Sequence, residues 1–444
     1  MKTAGEYLDS LRRLDLKVWM FGERIENHVD HPIIRPSVNA VARTYELASD
    51  ERYAGLMTAS SSLNGETINR FTHLHQGVDD LVRKVEMQRL LGQKTAACFQ
   101  RCVGLDALNA LDSVTWEMDQ KLGTRYHARF RDYVRYVQEN DLVVNGAMTD
   151  PKGDRSLRPH QQRDPDLYLR VVAQNKDGIV VRGAKAHQTG ALNSHEVCVM
   201  PTMTMSEADR DWAVSFAVPA DTPGILYVLG RQSADTRKLE QSPVDVGNAL
   251  YGGHEALVIF EDVCVPWERV FMCGEWEFSG LLVERFAAYH RQSYGGCKVG
   301  VGDVLIGAAA QLADYNGTAK ASSVRDKLVE MIHLNETLYA CGIACSGQGH
   351  PTPSGTWLVD LLLANVCKQN VTRFPYEIAR LAEDIAGGLV VTMPSEKDFR
   401  HPQIGPYIEK YLQGAGTAPT EHRVRMLRLV ENLTLGCAAV GYRT

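Results

Sequence analysis

Leu167-Tyr168-Leu169-Arg170-Val171-Val172-Ala173, then Asn175-Lys176-Asp177-Gly178, then Ile179-Val180-Val181-Arg182-Gly183 is the stretch on which the fold turns. The first run is rich in β-branched and aromatic residues, the second is a turn signal, and the third reads as the returning strand. Further short strands are predicted over 197–205, 212–218, 224–229 and 256–260. Short strands separated by turn residues predict an antiparallel sheet or barrel over residues 141–275.

On the N-terminal side the pattern is helical. Asp79 and Asp80 open a run in which Leu81, Val85, Leu90 and Leu91 recur at helical spacing, and acidic residues suit a helix start. A second helix is predicted from about Thr95 to Lys121. No proline interrupts the chain between Pro36 and Pro151, which favours long helices. On the C-terminal side helices are predicted over 324–344, 357–390 and 420–435, the last just after Pro419. The expected fold is α+β: a helical region 1–140, a β-barrel domain 141–275 and a helical bundle 276–444.

The 444 residues carry a net charge of −6, with 44% hydrophobic and 23% charged residues, an ordinary globular balance. No basic tail stands out, so neither nucleic acid nor an anionic membrane is an expected partner. No unbroken apolar run reaches the roughly 20 residues that span a bilayer, and the first residues lack a signal-like apolar core. A cytoplasmic location is expected, with the ten cysteines reduced. There is no Walker A motif. The glycines of Gly295-Gly296-Cys297-Lys298-Val299-Gly300-Val301-Gly302 do not form G-x-G-x-x-G, so a Rossmann site is disfavoured.

Several clusters could carry chemistry. Cys98 and Cys102, at i and i+4, would share one face of a helix, where they suit core packing as readily as a soft metal. Arg101 and Lys94 are placed to help hold thiolates. His290-Arg291-Gln292-Ser293-Tyr294-Gly295-Gly296-Cys297-Lys298 brings an imidazole, a phenol, a thiol and an ammonium within nine residues. Its bland reading is a polar helix start or a helix–helix contact. Asn145–Arg155 is loop-like by its Gly, Pro and Asp content, and Lys185–Gly190 reads as a polar turn after a strand. His73 and His75, His28 with Asp30 and His31, and Cys341 with Cys345 are read as surface or core residues.

The segments 145–155, 183–190 and 290–298, with Tyr251-Gly252-Gly253-His254-Glu255-Ala256-Leu257, resemble the 4-hydroxybutyryl-CoA dehydratase/vinylacetyl-CoA isomerase family. The resemblance runs from Met20–Asn27 to Gly441–Thr444. That family is related to the flavin-dependent 4-hydroxyphenylacetate hydroxylases and has an acyl-CoA dehydrogenase-like fold, which agrees with the order of elements predicted above.

The resemblance implies a [4Fe-4S] cluster on Cys98, Cys102, His290 and Cys297, a set the hydroxylases lack. It implies FAD held by Met148, Thr149, Asp154, Arg155, Gln188 and Thr189. It implies His290, Tyr294, Glu255 and Lys298 as catalytic residues acting on an acyl-CoA in a homotetramer. The implied reaction is a radical dehydration of 4-hydroxybutyryl-CoA to crotonyl-CoA. FAD would take and return one electron so that the β proton becomes acidic, and cluster iron would act on the departing hydroxyl. His290 would be ligand and then base for the α proton. The alternatives are a flavin-dependent hydroxylase of a small phenol and a catalytically impaired fragment. The second arises because the family places a glutamate just beyond the position of Thr444; these 444 residues are expected to bind the cluster but turn over poorly.

Overall fold

The computed structural model of the protein describes residues 1–443. The chain is mostly helical to about residue 140, with the short strands Val18–Met20, Glu23–Ile25, Thr58–Ser60 and Thr67–Asn69 among the helices; a mainly β region follows, and a helical bundle ends the chain. The hairpin that opened the sequence reading forms. Arg170–Gln174 pairs antiparallel with Gly178–Thr189, and the Asn175 side-chain oxygen accepts from the Asp177 and Gly178 amides to close the turn.

The second strand runs on to Thr189, so Lys185–Thr189, read from sequence as a turn, is strand instead. The cause is pairing: Glu255–Pro266 lies antiparallel alongside from Gly178 to Thr189, with register shifts between Ala256 and Val258 and between Phe260 and Val263. That long pair sits inside a six-stranded sheet ordered Glu23–Ile25, Val18–Met20, Ile225–Leu229, Glu255–Pro266, Gly178–Thr189, Arg170–Gln174. A second sheet is ordered Val270–Cys273, Val214–Pro219, Glu196–Val199, Val144–Ala147. Phe216 of one meets Phe260 of the other edge-to-face at 6.0 Å between ring centres.

This differs from the expected antiparallel barrel. Among the described residues the sheets do not close on themselves. Two pairs are parallel, Val18–Met20 with Ile225–Leu229 and Val144–Ala147 with Glu196–Val199. Strands joined by long connections are free to run parallel, and the first of these joins the sheet from the N-terminal region.

The bundle is organised on Ser279–Tyr315, a 37-residue helix. It packs on Val78–Thr95, Cys102–Leu122, Ser322–Gly347, Leu361–Val371, Phe374–Ala386 and Thr420–Thr434. By length and composition this helix could cross a bilayer, although the sequence showed no unbroken apolar run. Surrounded by other helices, 67% of its apolar window is buried within the protein, as in a core helix packed on several sides.

Its glycines serve that packing. A Cβ on Gly300 would lie 2.2 Å from the Arg89 carbonyl oxygen and 2.8 Å from Gly92 Cα, so only glycine lets Ser279–Tyr315 cross Val78–Thr95 this closely. The predicted helix over 357–390 is two helices, Leu361–Val371 and Phe374–Ala386, divided before Pro375, which cannot continue the hydrogen-bond ladder. Trp357–Leu358 is a short strand instead.

Candidate active site

The predicted helix from Thr95 does not exist as drawn. Val78–Thr95 ends with Ala96 in the left-handed conformation (φ 49°), and Gln100 is also left-handed (φ 58°). Cys98 therefore lies in a loop, and Cys102 opens the helix Cys102–Leu122.

Tertiary hydrogen bonds hold the loop out of the helix. Asn248 Nδ2 donates to the Thr95 carbonyl at 2.9 Å. Gln100 Nε2 donates to the His254 carbonyl at 2.7 Å, while Gln100 Oε1 accepts from Asn193 Nδ2 at 2.8 Å. Gln100 thus pins the cysteine loop beside Gly190 and His254, where the strands ending in Thr189 and starting at Glu255 meet.

His290, Tyr294, Cys297 and Lys298 are spaced i, i+4, i+7 and i+8 along Ser279–Tyr315, and so share one face. They lie mid-helix rather than at a polar helix start, and Gly295 and Gly296 of the same run make the helix–helix contact that the bland reading also allowed.

The two segments meet at a cavity of about 80 Å³. It is lined by Cys98, Cys102, Cys297, His290, Tyr294, Lys298, Glu255 and Thr189, with Val103, Val301 and Gly441. A larger cavity of about 300 Å³ shares Val103, Thr189, His290 and Tyr294 with it and extends over Gly146, Met148, Thr149, His187 and Gln188. The Met148–Asp150 segment is anchored from the sheet: Ala186 N donates to the Thr149 carbonyl, and buried Lys185 Nζ reaches the Met148 carbonyl and the Asp150 carboxylate.

Of the expected flavin residues, Met148, Thr149, Gln188 and Thr189 line this second cavity. Asp154 and Arg155 lie on an exposed loop and line neither. The Asp154 carboxylate accepts from the Ser156 amide and hydroxyl.

Burial governs the electrostatics. It pushes the Cys98 thiol up to about 12, with Cys297 adding to the rise. It raises Cys102 and Cys297 as well, with the neighbouring thiols adding to Cys102. Cys98 therefore feels Cys297, and Cys102 feels both. The cations opposing these rises are Lys298 and Lys84. Arg101 and Lys94, expected in that role, are turned to aromatic rings: Arg101 to Tyr45 and Phe71, Lys94 to Tyr53. Burial also raises the Glu255 carboxyl to about 7, against the downward pull of the Thr189 hydroxyl and Lys298. Tyr294 is pushed well above its ordinary range by the same cause.

Two residues of the site went unread in the sequence. Asp106 Oδ2 lies 3.0 Å from His290 Nδ1, and Lys84 Nζ lies 2.5 Å from Asp106 Oδ1. Their signal was present: each is a charged residue on the buried face of a helix, Lys84 among Leu81, Val85 and Leu91, Asp106 among Leu105, Ala107 and Leu108.

All three site cysteines are free thiols. Among the described residues no three His, Cys, Asp or Glu side chains converge on a point where a single metal ion would sit. Three soft thiols and an imidazole spread around one cavity suit a polynuclear iron–sulfur group, whose irons occupy volume that a lone ion does not. The discounted clusters stay apart from the cavity: His73 and His75 are buried, His73 on Asp80, and Cys345 is in the core.

The chain matches two family descriptions, 4-hydroxyphenylacetate 3-hydroxylase N terminal over residues 3–272 and C terminal over 279–444. It is 64% identical to 4-hydroxybutyryl-CoA dehydratase/vinylacetyl-CoA-Delta-isomerase of Clostridium aminobutyricum, over 100% of this chain and 92% of that protein. Among solved structures it is similar to an oxygen-tolerant archaeal 4-hydroxybutyryl-CoA dehydratase from N. maritimus. The TM-score is 0.98 at 57% identity, over 99% of this chain and 88% of that one. It is also similar to an oxygenase component of 4-hydroxyphenylacetate 3-monooxygenase complexed with FAD. There the TM-score is 0.87 at 28% identity, over 99% and 91%. The chain belongs to the 4-hydroxyphenylacetate 3-hydroxylase family and groups within it with the 4-hydroxybutyryl-CoA dehydratases.

Proposed function

We propose that this protein dehydrates 4-hydroxybutyryl-CoA to crotonyl-CoA and isomerises vinylacetyl-CoA, with FAD and a [4Fe-4S] cluster as its resident groups. One observation carries the reading: a thiol-lined cavity and a larger cavity share His290 and Tyr294 as a common wall. Cys98, Cys102, Cys297 and His290 would hold the cluster. Met148, Thr149, Gln188 and Thr189 would hold the flavin. When bound, these groups supply a Lewis-acid iron for a hydroxyl and a one-electron acceptor that returns its electron. The three-part division at residues 140 and 275 and a homotetrameric assembly belong to the same reading.

The chain's own residues would do the rest. His290 has Nδ1 committed to Asp106, so Nε2 is the nitrogen available either to iron or to the α proton. Both roles use the same lone pair and exclude each other in time. Glu255, with its carboxyl near 7, changes protonation in the neutral range, as a proton-transfer group must. Tyr294 stays protonated through that range and can donate a hydrogen bond. Lys298 lies 5.6 Å from the centre of the Tyr294 ring and Lys368 4.8 Å. This positive charge favours an acyl oxygen that becomes negative on loss of the α proton.

A hydroxylase of a small phenol has no use for three thiols around one cavity. The test is anaerobic purification followed by iron and sulfide analysis and an assay for crotonyl-CoA. Protein without iron removes the cluster. Iron-loaded, flavin-loaded protein that forms no crotonyl-CoA removes the dehydratase.

A further inference from the structure

We propose that Asp106, held in place by Lys84, is the positioning residue that fixes the tautomer of His290 and so presents Nε2 to the thiol-lined cavity. What His290 meets there rests on the cluster reading above; the geometry does not.

Asp106 is fully buried and both its oxygens are engaged. Oδ2 faces His290 Nδ1 at 3.0 Å, and Oδ1 accepts from Lys84 Nζ at 2.5 Å. Lys84 is equally buried. Its other protons go to the Tyr289 carbonyl at 2.9 Å and Gln292 Oε1 at 3.0 Å, so its three donors are used. Gln292 is in turn fixed by donating to the Leu81 carbonyl and Ser346 Oγ.

A carboxylate whose charge is balanced by an ammonium only accepts hydrogen bonds. The neutral imidazole beside it must therefore carry its proton on Nδ1, which leaves the Nε2 lone pair free. The ring plane is set independently. Phe286 stacks on His290 at 5.7 Å with a 10° interplanar angle, and Tyr294 closes the other side edge-on at 5.1 Å. Asp106 also lies one helical turn after Cys102 on Cys102–Leu122. One helix thus carries a thiol of the cavity and the group that orients the imidazole, while Lys84 ties both to a third helix.

The arrangement makes a sharp demand on substitutions. In Asp106→Asn, Lys84 claims the single side-chain oxygen, and the amide NH₂ is turned toward His290 Nδ1. That nitrogen must then accept, and the proton moves to Nε2. In Lys84→Met/Asp106→Asn nothing holds the oxygen on the Lys84 side; the Ser293 hydroxyl, 3.5 Å from Oδ2, draws it to the His290 side, and Nδ1–H returns.

The experiment is ¹⁵N magic-angle-spinning spectroscopy of histidine-labelled apoprotein, with His290 assigned by difference from His290→Ala. Alongside it, iron release to a chelator is followed in anaerobically loaded protein. The wild type is expected to show Nδ1–H. Asp106→Asn is expected to show Nε2–H and about 10–100-fold faster iron loss, and the double variant is expected to restore both. A wild-type His290 protonated on Nε2 overturns the proposal whether or not any variant folds. So does a folded Asp106→Asn that keeps the wild-type tautomer, or a double variant that does not recover it. A tautomer switch in protein that never retains iron supports the positioning role and removes the cluster reading alone.

Discussion

Thr189 Oγ1 donates to Glu255 Oε2 at 2.6 Å, and the two residues are register partners at the ends of adjacent strands. The last rung of the longest strand pair therefore holds a carboxyl at the cavity wall. Burial raises that carboxyl from 4.5 to about 7. A raised carboxyl binds its proton more tightly folded than unfolded, so its ionisation costs stability as pH climbs through the interval between the two values. Glu255→Gln removes this cost. The variant should match the wild type below pH 4.5 and gain on the order of 3 kcal/mol above pH 7. Urea unfolding at both pH values measures the difference; an equal gain at each would rule out a raised carboxyl.

Gly300→Ala tests the helix crossing beneath the site. The added Cβ meets the Arg89 carbonyl and Gly92 Cα, neither of which can rotate away. A loss of at least about 1–3 kcal/mol is expected. Because Gly300 is one turn beyond Cys297, separation of these helices should also reduce retained iron. Calorimetry and iron analysis on the same preparation show whether the two losses travel together.

Cys102→Ala and Cys345→Ala separate cavity thiols from core thiols. Both residues are buried, but only Cys102 lines the cavity. Iron per chain should fall sharply in Cys102→Ala and stay at the wild-type level in Cys345→Ala. Equal iron in the two variants would contradict the assignment.

Lys84→Met leaves the Asp106 carboxylate buried without its counter-charge. Breaking a buried pair in this way costs about 3–5 kcal/mol. Lys84→Met/Asp106→Asn removes both charges and should recover most of that loss. Chemical denaturation of the single and double variants gives the coupling between them, and a fully additive result would mean the pair is not coupled.

Much of this protein was legible before its structure. The Asn175–Gly178 turn follows from local chemistry, since an Asn side chain accepts from the following amides wherever the turn lies. The helix Thr420–Thr434 after Pro419 follows from periodicity and a start signal. The density of reactive groups over 290–298 was legible too, while their sharing one face became evident only once the helix Ser279–Tyr315 was seen to run through them. The Cys98–Cys102 pair was not. Its i, i+4 spacing predicted one helix face, but Ala96 and Gln100 turn left-handed under hydrogen bonds that Asn248 and Asn193 donate and the His254 carbonyl accepts, residues far along the chain.

By itself, then, the sequence determined the coarse succession of helical, mainly β and helical regions, the cluster of reactive groups over 290–298 and, through likeness to a known family, the cysteines and histidine that belong together. Those properties reside in local periodicity and in residue identity. Only the tertiary structure decided that Cys98 sits in a loop, that the strands form two sheets with parallel pairs, and that Lys84 and Asp106 stand behind His290. Each depends on groups distant in sequence satisfying one another's charges and hydrogen bonds once water is excluded, which no local pattern encodes.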